Sequence, residues 1–301
     1  MSTQMHLLVH ASKFDPTQTT SIRRSYEAEM KRRFREIRKA IIQAIVIDDV
    51  FGIIANAPAA TIRVSARRPG RREFAFPRSD AKVQAFMDWL ADAESKDILG
   101  VQLGTPIRSA ANKSWQNKYI KAAYSKSMQK AAQRLKSQGV KVEDSWLEQA
   151  FFRPLHADRV GLIYTRAYTS LSGITDTMDA QISRTLARGL VDGVGARQLA
   201  RDIVDRVDSI GITRARALAR TEVIDAAAEA TLNSYAEAGV LGVETQAEFA
   251  TAQDDSVCPE CEALEGKIYP IDEASGIIPV HPNCRCAWLP VVTDPEGKVL
   301  R

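Results

Sequence analysis

Four cysteines and one histidine near the end of the chain are the residues best suited to chemistry. They stand in VCPEC and HPNCRC, as Cys258, Cys261, His281, Cys284 and Cys286, and the 301-residue chain has no other cysteine. The spacing is C-x2-C-x19-H-x2-C-x-C. A Cys-x2-Cys turn reverses the chain so that two thiolates can approach one ion. A second short cluster about twenty residues on can complete a tetrahedral site, which is the pattern of structural zinc. Pro259, Pro279 and Pro282 stiffen the two turns. Five donors compete for four positions. Cys284 and Cys286 point to one face of an extended chain, so four thiolates can ligate together, leaving His281 as a substitute ligand or an outer hydrogen-bond donor. Two disulfides or four unligated thiols are the other readings. A reducing cytoplasm disfavours the disulfides.

Catalysis at this window meets an obstacle. A four-cysteine site is closed, whereas a zinc hydrolase keeps one position open for water. The sequence HPN invites comparison with His-Asn-His nucleases, which need a second histidine. The remaining histidines are His6, His10 and His156, all far upstream, and His156 reads as a capping or core histidine. The chain has no Gly-rich phosphate loop and no Gly-x-Ser-x-Gly. A zinc-dependent HNH-like nuclease and a zinc-ribbon DNA-binding protein stand as the alternatives. The acidic balance around the cysteines opposes the second, because phosphate contacts need lysine and arginine.

The elements that must position the window read as mostly helical. Ile22, Tyr26, Met30, Phe34, Ile37, Ile41 and Ile45 recur at steps of three and four, which predicts a helix over 21–45. Arg32, Arg33 and Arg35 lie among its many bases. Two short strands around RRPGRR predict a basic β-hairpin near 61–77. Helices follow over 80–99 and 112–136. From Arg108 to Lys136 there are eight bases and no acid, with Trp115, Tyr119 and Tyr124 interleaved. At helical spacing the aromatics belong to the core. Lys113, Lys118, Lys121, Lys126 and Lys130 remain as candidate contacts for DNA phosphates. FFRP at 151–154 marks a domain boundary. Two helices are predicted over 157–173 and 174–193, broken at Gly173, then one over 196–207 and a long alanine-rich one over 212–239. GVGARQLARDI resembles a helix-turn-helix entry and SIGITRARALA the loop of a helix-hairpin-helix. Ordinary helical hairpins produce both patterns. After Gly242 the period changes to two: VETQAEFATA and RCAWLPVV read as strands, with a short strand at 267–269 between them.

These readings predict a mainly α protein with a small β-containing, zinc-clipped C-terminal unit, an α+β arrangement. The basic helical N-terminal domain covers 1–152. The second covers 153–301, helical over 153–240, with the cysteine-clipped β unit over 241–301. Net charge is +4, but residues 241–301 carry −7 and the rest +11. That asymmetry points to one polyanionic neighbour and one different neighbour. The most apolar run, from Ala40, is broken by Gln43, Asp48 and Asp49, short of the ~18 apolar residues of a membrane span. No signal peptide is read at the N-terminus. The expectation is a soluble protein made in the cytoplasm.

One resemblance is specific. Ala219-Arg220-Thr221-Glu222, Asp254 or Asp255 ahead of Cys258 and Cys261, Leu264 with Gly266, and His281-Pro282-Asn283-Cys284-Arg285-Cys286 resemble the minor head protein family of tailed bacteriophages. This is the head morphogenesis type represented by protein F of phage Mu. The matches span about 170–292. The resemblance implies a virion component rather than an enzyme, assembled in the host cytoplasm and placed in the phage head near the portal. Its implied partners are the portal protein, phage DNA bound without sequence preference, and the major capsid or scaffolding protein, with no membrane. It implies roles in head assembly, genome packaging or DNA delivery. Arg220, Thr221, Glu222, Asp254, Asp255, Gly266 and Asn283 are then structural motif residues. A particle that leaves the cytoplasm also brings the disulfide reading back.

Overall fold

The computed structural model describes residues 15–53, 80–93, 98–100, 107–142, 153–239, 244–293 and 299–300. The β-hairpin expected near 61–77 lies outside these residues, as do His6 and His10. The chain forms two compact units.

The first unit comprises residues 1–27, 115–167 and 217–301. Its described elements include the start of helix α1 (Thr20–Ile42), helix α4 (Asn117–Ser137), the first part of helix α5 (Pro154–Val191) and most of helix α7 (Thr213–Gly239). A small antiparallel sheet joins them, with strands β1 (Glu244–Ala250), β2 (Ile268–Tyr269), β3 (Ala287–Thr293) and β4 (Val299–Leu300) in the order β2-β1-β3-β4. Strand β1 pairs with β3 along its whole length, from Glu244 opposite Thr293 to Ala250 opposite Ala287. Two single-turn helices, α8 (Pro259–Glu262) and α9 (Ile271–Ala274), lie in the connection between β1 and β3. The mainly helical fold with a small C-terminal sheet agrees with the expectation.

Every residue of α7 from Glu222 to Tyr235 is buried. Small side chains permit this: Ala226, Ala227, Ala228 and Ala230 let neighbours approach its axis. The acids on the same stretch need partners, since burying an unpaired charge is costly. Arg166 of α5 pairs with both Glu222, at 2.8 Å, and Asp225. Arg159 pairs with Glu229 at 3.2 Å, and Arg153 with Glu237 at 2.8 Å. His156 is fully buried. Its Nδ1 hydrogen-bonds the Tyr124 hydroxyl at 2.8 Å, whose oxygen accepts from Asn233 at 2.8 Å. Its Nε2 faces Glu237 at 3.2 Å. His156 is thus a core histidine. Trp288 of β3 anchors the sheet end of the core, edge-on to Phe249 and Tyr269. The Trp288 carbonyl accepts from Arg134 at 2.9 Å.

The second unit comprises residues 28–114 and 168–216. It includes the rest of α1, helices α2 (Asp80–Ala93) and α3 (Ile107–Asn112), the later part of α5, and α6 (Ala196–Arg206). The expected apolar row of α1 is buried from Tyr26 to Ile45, while Ile22 is only half-buried. Helix α1 ends in a π-helical turn over Gln43–Ile47. A second π-helical turn, Val207–Ile212, runs from α6 into α7.

Two sequence expectations need correction. The predicted break at Gly173 does not occur: α5 is one 38-residue helix. Its buried row runs unbroken through Val160, Ile163, Ala167, Leu171, Ile174, Met178, Ile182 and Leu186. A solvent-facing glycine costs an interior helix only ~1 kcal/mol, which that burial overrides. The helix predicted over 112–136 also starts later than expected, at Asn117, because residues 113–116 form turns after α3. The SIGITRARALA pattern, set aside above as ordinary, is helical throughout.

Candidate metal centre

Each half of the cysteine window is shaped by its own turn. Asp254 begins the first: its carboxylate accepts the Ser256 N–H at 3.0 Å and its carbonyl the Val257 N–H at 3.0 Å. Cys258 then caps α8, its Sγ accepting from the Cys261 N–H at 3.4 Å, with Pro259 at the first helical position. Proline suits that position because its missing N–H would be unsatisfied there anyway. In the second half the Cys284 N–H bonds the His281 carbonyl at 3.1 Å. The turn needs a left-handed residue, and Asn283 supplies it with φ 68°; asparagine tolerates that region better than most. The chain then extends into β3, so Cys284 and Cys286 are both buried while Arg285 between them points the other way.

The two halves meet. His281 Nε2 lies 3.1 Å from Cys258 Sγ and 3.3 Å from Cys261 Sγ. Donor atoms of Cys258, Cys261 and His281 lie within 4.8 Å of one another, as do those of Cys261, Cys284 and Cys286. Cys261 belongs to both sets. The five residues form a Cys/His cluster that could hold a metal. His281 Nδ1 stands 2.9 Å from the Pro282 carbonyl. An Nδ1–H donated there leaves the Nε2 lone pair facing the thiols, the orientation that metal-ligating histidines adopt.

The protonation of the cluster is uneven. The Cys286 thiol donates to Cys284 and holds the Cys284 thiol down at about 5, and the same bond pushes Cys286 up. Burial pushes Cys261 up to about 12. The Cys261 N–H lowers Cys258, and the Pro282 carbonyl raises His281. Protons shared among such donors are what a metal ion displaces on binding, so the donor set fits a thiophilic ion such as zinc.

The motif residues surround this cluster. Arg220 of α7 bonds Glu27 of α1 at 2.5 Å and the Asn283 side chain at 3.3 Å. It does not pair with Glu222, which belongs to Arg166. Thr221 returns its hydroxyl to the Ala217 carbonyl at 2.9 Å. Asp255 is exposed. Gly266, with φ 73°, turns the chain so that its N–H reaches the Phe249 carbonyl at 2.9 Å. Asp254 forms a two-bond ion pair with Arg285, both contacts 2.6 Å. Among the candidate DNA contacts, Arg32 and Arg33 both bond Glu29. Arg35, Lys113, Lys118 and Lys121 are exposed, and Lys126 and Lys130 half-buried. Trp115 and Tyr119 pack on Tyr26, the Tyr26–Tyr119 rings stacked at 4.8 Å. Sequence reasoning missed Glu27, Arg166 and the role of Arg285. The available signal for Glu27 was its position beside Tyr26 on the apolar row of α1.

No helix of the described residues is long and apolar enough to cross a membrane. No curated protein and no solved structure matches the chain. A family model does match, that of the phage Mu protein F like proteins, over residues 180–289. The matched segment includes α6, α7, strands β1 and β2, and all five residues of the cluster. Over residues 180–289, then, the chain is similar to the phage Mu protein F like proteins.

Proposed function

We propose that this protein is a minor component of a tailed-phage head, located in the virion and associated with the portal. It acts there in head assembly, genome packaging or DNA delivery and is not an enzyme. The observation that carries the reading is the family match over 180–289, which ends within β3 just beyond the cysteine window. The portal is proposed as its direct partner, with the major capsid or scaffolding protein as further neighbours in the head. Phage DNA is proposed to meet the lysines at and before α4 without sequence preference. The division of labour proposed is between the basic sequence 1–152, facing DNA, and the sequence 153–301, docking on protein; the compact units do not follow this boundary, since α4 shares the first unit with the sheet.

We further propose that the cluster holds one structural zinc ion. Cys258, Cys261 and His281 are ligands, and Cys284 or Cys286 completes the tetrahedron. The position of His281 Nε2 between two thiols favours it as a ligand over an outer donor. Zinc would tie the β1–β3 connection together at the edge of the core that holds Cys261, Cys284, Cys286 and Trp288. The nuclease alternative requires a second histidine beside His281, and His156 is enclosed in the core.

Disassembly of purified virions tests the placement. The protein is expected to remain with the portal ring, and its absence from salt-washed particles would overturn the reading. Metal analysis of reduced full-length protein tests the ion, with about one zinc per chain expected. A content near zero removes zinc while leaving the placement standing.

A further inference from the structure

We propose that Asp254 and Arg285 are the positioning pair of the metal centre. The inference rests on the zinc reading above. Asp254 lies four residues before Cys258, and Arg285 lies between Cys284 and Cys286. Their two-bond ion pair, with both contacts at 2.6 Å, joins the segment carrying the first two ligands to the segment carrying the others. The 19 residues between Cys261 and His281 do not by themselves fix that distance.

Each partner is oriented by its own segment. Asp254 also accepts the Ser256 N–H that starts the turn into Cys258. Arg285 sits at the one position of Cys-x-Cys that must face away from the thiols when both cysteines face inward. The pair is only partly exposed, at 14% for Asp254 and 25% for Arg285. A planar guanidinium bonded through two nitrogens to one carboxylate sets angle as well as distance. A second tie backs it: Arg220 of α7 bonds Asn283, next to Cys284, and is itself held by Glu27. The pair therefore closes the window before the ion arrives. The metal then binds a set of donors already brought together, and less ordering has to be done on binding.

The test uses reduced full-length protein and zinc affinity measured against a chromophoric chelator. The variants are Asp254→Asn, Arg285→Lys and the exchanged pair Asp254→Arg with Arg285→Asp. Each single variant is expected to bind zinc about 10- to 100-fold more weakly, the loss typical of groups that orient ligands, while helical circular dichroism is unchanged. Arg285→Lys keeps the charge and loses the planar fork, so its weakening isolates geometry from charge. The exchanged pair should recover part of the affinity, since it restores the ion pair but not the bond from the Ser256 N–H. Cobalt(II) spectra should keep the tetrahedral signature in the wild type and in the exchanged pair, and lose intensity in the single variants. Wild-type zinc affinity in both single variants would overturn the positioning role while leaving the zinc site intact. A wild-type chain that binds no zinc would overturn both.

Discussion

At the scale of single residues, acids in this chain are held by arginine more than by burial alone. Glu29 accepts from Arg32 and Arg33, and these bonds bring its carboxyl from 4.5 down to about 2. The folded value lies below the unfolded one, so the folded state favours the charged form. Its contribution is present above about pH 4.5 and is lost as the pH falls toward 2. The pairs lie one turn apart on α1 and are partly exposed, so their worth is about 0.3–0.5 kcal/mol each. Glu29→Gln is expected to lower stability by roughly 0.5 kcal/mol at neutral pH, and the difference should shrink as the pH falls from 4.5 through 2. Urea unfolding of both proteins across that range measures it; a difference that does not change with pH would assign the effect to packing. Glu222 runs the other way. Burial raises its carboxyl, and Arg166 works against that shift. Asp254 follows Glu29, lowered chiefly by Arg285. The acids themselves were legible in the sequence, but the pairings Asp254–Arg285, Glu222–Arg166 and Glu27–Arg220 were not. Their partners stand 31 to 193 residues apart, and no local spacing links them.

At the scale of elements, two glycines show where the sequence spoke clearly and where it did not. Gly211 lies in the π-helical turn between α6 and α7. A Cβ there would stand 2.4 Å from Phe34 Cδ1 and 3.2 Å from Met178 Sδ. Both neighbours are fully buried, so neither can step aside into solvent. Gly211→Ala is expected to cost about 1–3 kcal/mol, the range for overpacking a core. Gly173, by contrast, is exposed in the middle of α5, and a Cβ added there would meet nothing within 4 Å. Gly173→Ala is expected to stabilise by about 0.5–1 kcal/mol, from helix propensity alone. Equilibrium unfolding of the two variants decides, and equal effects would sink the contrast. The same pair explains the misreading of α5. Glycine reads as punctuation at 173, although the apolar row continues past it in phase. The row of α1, the C-terminal end of α4 and the strands β1 and β3 followed from the sequence, while the start of α4 at Asn117 and the pairing of β1 with β3 did not. The π-helical turns did not, because no periodicity in Gln43–Ile47 or Val207–Ile212 distinguishes them from the α-helices they continue. The cysteine window was legible as a cluster because its residue types and spacing are local. The place of His281 within it was not, since that depends on how the Pro282 turn aims one ring.

At the scale of the whole molecule, the charge asymmetry has a measurable consequence. Residues 241–301 carry −7 and the remainder +11. An acidic C-terminal region repels DNA, so the proposed DNA contact is expected in the basic remainder. Within it, the arginines of α1 are partly engaged: Arg32 and Arg33 serve Glu29, and Arg38 pairs with Asp208. The segment 108–136 itself carries eight bases and no acid. Lys113, Lys118 and Lys121 are exposed along it, which makes them the strongest candidates for the proposed contact. Binding of this kind releases counterions, so the logarithm of affinity falls with the logarithm of salt by ~0.9 for each phosphate neutralised. Replacing the three lysines with glutamine is expected to make that slope shallower by up to about 2.7, or about 0.9 for each lysine that meets a phosphate. The weakening should be the same on DNA fragments of unrelated sequence, because phosphate contacts carry no sequence information. Fluorescence anisotropy on two unrelated duplexes between low and moderate salt supplies the slopes. An unchanged slope in the triple variant removes DNA from these lysines. A preference for one duplex that survives moderate salt would instead restore the DNA-binding regulator.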